Sequence, residues 1–316
     1  MGRATARLFD AMAEEYDVLE PWYEHLYAVL HPIMLDALAI DRPGGPSHGP
    51  PKPRLRSLKV SARRPSAAHL ALPRALDAGC GNGFQTALLE RLGYDTHGVD
   101  VAPRLLAVAR SRLSSPTLAV ASVEALPYRD ESFDAAVCCG STLSFVDDPA
   151  AAFQELARVL RPGARLLLEV EHRWSLDLVW TLVSALGGDC LGYGVSSREA
   201  WRALARRPSD GCTVTYPGYG SLRLFTRAEL HAMLTRAGFR PVRWWGVHSI
   251  TNLIPSTILH RQALGPLTAA LYRRLRTLDA RLSASPSVAG VANSLVVLSE
   301  KRSSSAGEAP LRAMLQ

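Results

Sequence analysis

The chain has 316 residues, of which 47% are hydrophobic, and it carries a formal net charge of +7. A chain of this length accommodates one large α/β domain with insertions, or two small domains. The scattered basic residues disfavour a nucleic-acid-binding surface, and the sequence has neither a signal-peptide pattern nor an apolar run long enough to span a membrane.

The first 74 residues divide into two predicted regions. Residues 1–40 are expected to form an N-terminal helical cap, because apolar residues recur at helical spacing between positions 9 and 39. Pro21 and Pro32 are expected to break this stretch into shorter helices. Residues 41–74 are rich in proline, glycine and arginine, a composition typical of a flexible linker.

From residue 75 the sequence alternates between short strands and helices. Strands are predicted at 74–78, 94–100, 117–120, 133–139 and 165–171, with helices at 84–92, 103–113 and 149–160. A further helix is predicted at 227–237, and further strands at 239–247 and 291–299. This alternation indicates parallel strands with right-handed crossovers. Segments 173–222 and 250–288 are additional, and we expect them to form a helical lid beside the ligand-binding edge of the sheet.

The turn after the first predicted strand is the most informative motif. It reads Asp77-Ala78-Gly79-Cys80-Gly81-Asn82-Gly83, and glycines let a backbone approach a ligand closely. The dinucleotide fingerprint G-x-G-x-x-G fails at Phe84, and Asp77 would repel a phosphate but suits an ammonium group. Asp100 ends the second predicted strand, where a carboxylate can accept ribose hydroxyls. These features favour S-adenosylmethionine over a dinucleotide.

Four further segments complete a resemblance to a known family. They are residues 9–17, 122–128, 132–134 and 158–163. With the glycine turn, they make the chain similar to class I S-adenosylmethionine-dependent methyltransferases, in the branch that includes the ubiquinone and menaquinone C-methyltransferases. The resemblance implies a Rossmann-like α/β fold, with a seven-stranded, mostly parallel sheet whose last strand is antiparallel. We expect this domain to span residues 75–300, with a flexible tail at 301–316.

The resemblance also implies the cofactor-binding residues. The methionine end would be held by Asp77, Gly79, Cys80, Gly81 and Gly83, the ribose by Asp100 with Val101 beside it, the adenine by Ser122 and Val123, and the region near the sulfonium by Cys139 and Gly140. Tyr16 would fold over the cofactor. The family usually has an aspartate at the position of Ser122, so we expect a neutral and weaker hydrogen bond to the adenine there.

A general base would be needed only if the methyl acceptor carries a proton. His172 follows the fifth predicted strand, and His248 ends a later one. Together with Tyr16, they are the predicted catalytic residues. The sequence shows no metal-ligand cluster, so a metal-assisted mechanism is disfavoured.

The predicted function is methyl transfer to a small, apolar acceptor by in-line displacement. The apolar lid suits a quinone, a polyketide, an isoprenoid or a lipid-like molecule. The alternatives are a non-catalytic partner protein that binds S-adenosylmethionine and a dinucleotide-dependent oxidoreductase. We expect a monomer or homodimer that binds no nucleic acid. The expected location is the cytoplasm, because the five cysteines lack disulfide-like spacing. Peripheral contact with a membrane stays open because residues 271–276 are amphipathic.

Overall fold

A seven-stranded sheet forms the centre of the fold in the computed structural model, which describes residues 3–13, 21–40, 72–114, 117–205, 212–216, 220–261 and 263–303. The strands of this sheet are β1 (Arg74–Ala78), β2 (Asp95–Asp100), β3 (Thr117–Val120), β4 (Phe133–Cys138), β5 (Leu160–Glu171), β8 (Phe239–Val247) and β9 (Ser294–Lys301). Their order across the sheet is β3-β2-β1-β4-β5-β9-β8. Two further strands, β6 (Cys212–Tyr216) and β7 (Gly220–Leu224), pair separately.

Strand direction follows the predicted pattern. Strands β1 to β5 of this sheet pair in parallel, whereas β9 runs antiparallel to both of its neighbours, β5 and β8. Strand β8 is therefore parallel to β5, and its carboxyl end lies at the same edge of the sheet. The predicted Rossmann-like architecture with an antiparallel last strand is confirmed.

Helices cover both faces of the sheet. They are α1 (Arg3–Met12), α2 (Pro21–Ala37), α3 (Phe84–Leu92), α4 (Pro103–Arg112), α5 (Pro149–Val159), α6 (Leu176–Leu186), α7 (Ser197–Ala205), α8 (Arg227–Arg236), α9 (Ser256–Leu259), α10 (Pro266–Leu282) and α11 (Pro286–Ala289). One core packs α5 and α8 against the sheet, and a second packs α2 and α3 against its other face. In the described residues, no helix is long and apolar enough to cross a bilayer.

Three local predictions need correction. Pro32 does not break the N-terminal helix, because α2 continues through it. A proline removes a single backbone donor, and here Leu30 and Met34 hold the helix on the core on either side of it. The last strand begins at Ser294 rather than at residue 291, and it runs to Lys301, the first residue of the predicted tail.

The segment 173–222 is not purely helical. After α6 and α7, strand β6 enters an antiparallel hairpin with β7, which continues past residue 222. Cys212 and Val214 are buried whereas Thr213 and Thr215 are exposed, so the strand shows the alternation of a half-buried β-strand. Segment 250–288 contains α9, α10 and α11. The predicted linker lies outside the described residues up to position 71, as does the predicted tail from position 304.

Candidate functional site

A cavity opens at the carboxyl ends of β1, β2 and β4, where ligands bind in folds of this kind. Eight of the predicted cofactor residues line it: Gly79, Cys80, Gly81, Asp100, Val101, Val123, Cys139 and Gly140. Seven further residues of the described part of the chain also line it: Phe9, Tyr27, Asn82, Gln85, Leu105, Ala121 and Thr142. The structure therefore brings the glycine turn and the acid at the end of β2 to one place.

The glycine turn lies tight against the loop that follows β4. Gly79 has a φ of +82°, and a Cβ on it would lie 2.2 Å from Oγ1 of Thr142. Its amide donates to the carbonyl of Val99 over 2.8 Å. Only glycine satisfies both the left-handed backbone and this close approach.

Asp100 ends β2 with both carboxylate oxygens positioned by the backbone. Oδ2 accepts from the amide of Gly81 and Oδ1 from the amide of Ala102, each over 2.9 Å. Burial raises the pKa of this carboxyl, and the two backbone hydrogen bonds oppose that rise. Each oxygen retains further lone pairs, so the side chain can accept the hydroxyls of a ribose.

Asp77 lies behind the cavity wall. It is 1% exposed, and its Oδ2 accepts a hydrogen bond from Oγ1 of Thr86 on α3 over 2.6 Å. Burial raises the pKa of Asp77 to about 7, while the bond from Thr86 acts in the opposite direction. A nearby cation would favour the ionised form. The carboxyl therefore titrates near neutral pH.

Ser122, which stands where the family usually has an aspartate, is paired with an acid. Its Oγ lies 2.9 Å from Oε2 of Glu124, and the amide of Glu124 donates to the same Oγ over 3.2 Å. The other carboxylate oxygen of Glu124 accepts from the amide of Asp148, the residue that caps α5. A negative charge thus lies next to the serine, two residues further along the chain.

The N-terminal helices cover the cavity. Phe9 of α1 packs edge-on against Phe145 at 5.0 Å, and Asp10 accepts from the amide of Arg104 in the first turn of α4. Tyr27 of α2 lines the cavity from the other helix and contacts Phe84. Sequence reasoning named Tyr16 as the aromatic cover, but Tyr16 lies outside the described residues. It missed Phe9 and Tyr27, whose aromatic character was the available signal.

Two acids support the loop after β4 from behind. Ser141 lies between the cavity residues Gly140 and Thr142 and has a φ of +58°. Its amide donates to Oε2 of Glu169 over 2.6 Å, and its hydroxyl donates to Oε1 of Glu171 over 2.7 Å. Burial raises the pKa of both carboxyls, that of Glu171 to about 8. These contacts hold the serine in a backbone conformation that non-glycine residues rarely adopt.

The two predicted catalytic histidines lie away from the described cavity lining. His172 is 2% exposed, its Nδ1 donates to the carbonyl of Ala292 over 3.0 Å, and burial lowers its pKa to about 4. His248 is fully buried and stacks on Trp22 at 3.7 Å. Its Nε2 donates to the carbonyl of Trp22, and its Nδ1 accepts from the hydroxyl of Thr251.

Comparison with known proteins agrees with this geometry. Residues 76–168 match the family described as "Methyltransferase domain". The ubiquinone biosynthesis O-methyltransferase of Xanthomonas campestris pv. campestris is 37% identical over 144 residues, which cover 43% of this chain and 59% of the relative. Residues 76–168 form a methyltransferase domain.

Other proteins similar to the chain extend the comparison to its fold. The ubiquinone biosynthesis O-methyltransferase of Xylella fastidiosa is 34% identical over 149 residues, covering 44% of this chain and 58% of the relative. The chain thus spans less than two thirds of the curated relatives that it matches. A structure of an S-adenosylmethionine-dependent methyltransferase from Thermotoga maritima shares the fold of the methyltransferase domain, with 18% identity, a TM-score of 0.51, and coverage of 94% of this chain and all of that one.

The residues that line the cavity fit S-adenosylmethionine chemically. Val101, Leu105 and Val123 offer apolar contact for an adenine ring, and Asp100 offers acceptors for the ribose. Gly81 presents a site where an added Cβ would meet nothing within 4 Å, so the backbone there is open to a ligand. Cys139 also lines the cavity, and burial raises the pKa of its thiol, which therefore stays protonated at neutral pH.

Proposed function

We propose that the chain transfers a methyl group from S-adenosylmethionine to a small, apolar acceptor. The observation that supports this most strongly is the shared cavity of the glycine turn and Asp100 within a class I methyltransferase domain. The bound cofactor supplies an electrophilic methyl group. The chain must orient the two reactants and exclude water, and positioning of this kind is worth up to about 7–11 kcal/mol of the barrier.

The class of acceptor is supported by the surface beside the site. Helix α6 exposes Val179, Val183 and Leu186 at helical spacing, and its one charged residue, Asp177, is buried. We propose that segments 173–222 and 250–288 form a lid over an apolar acceptor. The names of the ubiquinone biosynthesis relatives support a quinone-like molecule within the wider set that includes polyketides, isoprenoids and lipid-like compounds.

A general base would remove a proton from the methyl acceptor, if that acceptor carries one. His172, His248 and Tyr16 stay predictions for this role. For His172, the low pKa and the bond from Nδ1 to a carbonyl support a neutral ring with its lone pair on Nε2. Such a ring is a weak base, so positioning would carry more of the rate than proton transfer.

We also propose that the chain acts in the cytoplasm as a monomer or homodimer and binds no nucleic acid. The five cysteines support the location, because all of them are free thiols and four of the five are buried. Free thiols are typical of a reducing compartment.

This function is tested by incubating the protein with S-adenosylmethionine that carries a labelled methyl group and with a bacterial extract. Chromatography then shows which molecules carry the label. We expect label in apolar small molecules with the wild-type protein and much less label with Asp100→Ala when the cofactor concentration is below saturation. Equal labelling by the two proteins would contradict catalysis at this cavity. Label confined to protein or nucleic acid would contradict a small-molecule acceptor.

A further inference from the structure

Gln85 is a residue of the cavity lining whose side-chain amide group has no protein partner. It is 7% exposed and lines the cavity together with Gly81 and Asn82. In the described part of the chain, no hydrogen-bond partner is found for its side chain. The fully enclosed atoms that lack a partner do not include its Oε1 and Nε2, so both atoms keep accessible surface. The amide group is therefore open to the cavity that Gln85 lines.

An amide group that is buried without a partner disfavours the folded state, because it loses its hydrogen bonds to water and gains none. Where such a group faces a cavity, a ligand in that cavity can supply the missing hydrogen bonds. Natural proteins accept local costs of this kind most often at functional sites. Gln85 is therefore a candidate for direct contact with the ligand of the cavity.

Gln85 lies in the first turn of α3, where the helix backbone favours an anion. The first amides of a helix have no acceptor within it, and they give this end of the helix a partial positive charge. Gly83, which precedes α3, has no side chain that could accept from them, and the first turn contains no acidic residue. Nε2 of Gln85 is a further donor at the same end. The start of α3 can therefore bind a negatively charged group in the cavity.

Asp77 adds the opposite preference through the neighbouring residue of the helix. Thr86, which follows Gln85, donates from its hydroxyl to Oδ2 of Asp77 over 2.6 Å. An ionised Asp77 attracts a cation and repels a ligand that carries only negative charge. A ligand that carries both charges suits both groups. The amino-acid tail of S-adenosylmethionine is such a ligand, because it has an ammonium group and a carboxylate.

We propose that Gln85 and the first turn of α3 bind the carboxylate of the cofactor's amino-acid tail, and that they select the cofactor over adenosyl compounds that lack this carboxylate. Nε2 of Gln85 donates to a carboxylate oxygen, and the ammonium group lies towards Asp77. The assignment rests on S-adenosylmethionine as the cofactor of the proposed function. It does not depend on which molecule accepts the methyl group.

Two ligands that differ only in the carboxylate test this assignment by calorimetric titration. S-adenosylhomocysteine has the complete amino-acid tail, whereas decarboxylated S-adenosylhomocysteine keeps the ammonium group alone. We expect the wild-type protein to bind the complete ligand about tenfold or more tightly, because hydrogen bonds to a charged group are among the stronger ones. Gln85→Leu should weaken binding of S-adenosylhomocysteine by about tenfold and leave the affinity for the decarboxylated compound unchanged.

Gln154→Leu is the matched control, since Gln154 is exposed on α5 and lies outside the cavity lining. It should leave the affinities for both ligands unchanged. Gln85→Glu tests the charge, because an acid in the first turn takes the place of the ligand's carboxylate and also stabilises the helix. This variant should weaken binding of S-adenosylhomocysteine more than Gln85→Leu does, without weakening binding of the decarboxylated compound. It keeps the test decisive if Gln85→Leu does not fold.

The outcomes separate this subsite from a structural glutamine. Equal losses of affinity for the two ligands in the Gln85 variants would mean that Gln85 maintains the shape of the cavity, and would overturn the proposal. Equal affinity of the wild-type protein for the two ligands would also overturn it. If the wild-type protein binds neither ligand, the cofactor assignment fails as well. Selective binding without transfer of label would support the subsite and contradict only the proposed methyl transfer.

Discussion

Among single residues, Asp100 has the clearest part in cofactor binding. Among the described residues of the cavity lining, Asp100 is the only one with a carboxylate, and Asp100→Ala removes this acceptor for the ribose hydroxyls. Because hydrogen bonds to a charged group contribute about 1.5–3 kcal/mol each, we expect affinity for S-adenosylmethionine to fall by roughly tenfold to a hundredfold or more. Calorimetric titration measures this.

Asp95 provides the matched control, since it begins the same strand and its side chain is 49% exposed. Asp95→Ala should leave cofactor affinity unchanged. A similar loss in both variants would mean that damage to β2, rather than the ribose contact, lowers the affinity.

Asp77 should make cofactor binding depend on pH. Its pKa of about 7 means that the carboxyl is partly protonated near neutral pH. The ammonium group of the cofactor would favour the ionised form, so binding should release protons and strengthen as pH rises from about 6 to about 8. Titrations at pH 7 in two buffers of different ionisation enthalpy detect the release, which Asp77→Asn should abolish.

Thr86→Val sharpens this test. The hydrogen bond from Thr86 lowers the pKa of Asp77, so its removal should raise that pKa and move the pH dependence upward. Identical heats in the two buffers for the wild-type protein would show that Asp77 does not change its protonation when the cofactor binds.

Between elements, a buried contact joins α2, α10 and the segment after β8. Nε2 of His25 lies 2.7 Å from Oδ2 of Asp279, and both side chains are 0% exposed. Asp279 also accepts the two backbone amides after β8. Because loss of one member of a buried pair leaves the other uncompensated, Asp279→Ala should lower the free energy of unfolding by about 3–5 kcal/mol. Denaturant titration measures the change.

The same two helices provide the control for this prediction. Glu24 of α2 and Arg276 of α10 form an ion pair of 2.8 Å, in which the Glu24 side chain is 55% exposed. Such surface pairs contribute about 0–1 kcal/mol, so Glu24→Ala should have little effect. Comparable losses from Asp279→Ala and Glu24→Ala would show that the buried contact has no special role.

For the whole molecule, the sequence predicts the sheet better than the elements around it. Buried parallel strands are short apolar runs, and the glycine turn identifies β1 and the start of α3. Hairpin β6–β7 was missed because the surrounding Leu, Trp and Tyr residues indicated helices. Pro32 was misjudged because local propensity does not include the packing of α2 on the core.

The cavity shows the same division. The glycines and Asp100 were predicted because they lie close together in the sequence. Phe9 and Tyr27 line the cavity only because α1 and α2 fold over the sheet. Tertiary structure therefore decides which residues cover the cavity.

We expect the cavity to bind S-adenosylmethionine rather than a dinucleotide. Calorimetric titration of the wild-type protein with S-adenosylmethionine and, separately, with NADH distinguishes the two ligands. We predict saturable binding of S-adenosylmethionine with one site per chain, and no binding of NADH. Binding of NADH without binding of S-adenosylmethionine would show that the cavity is not a site for S-adenosylmethionine.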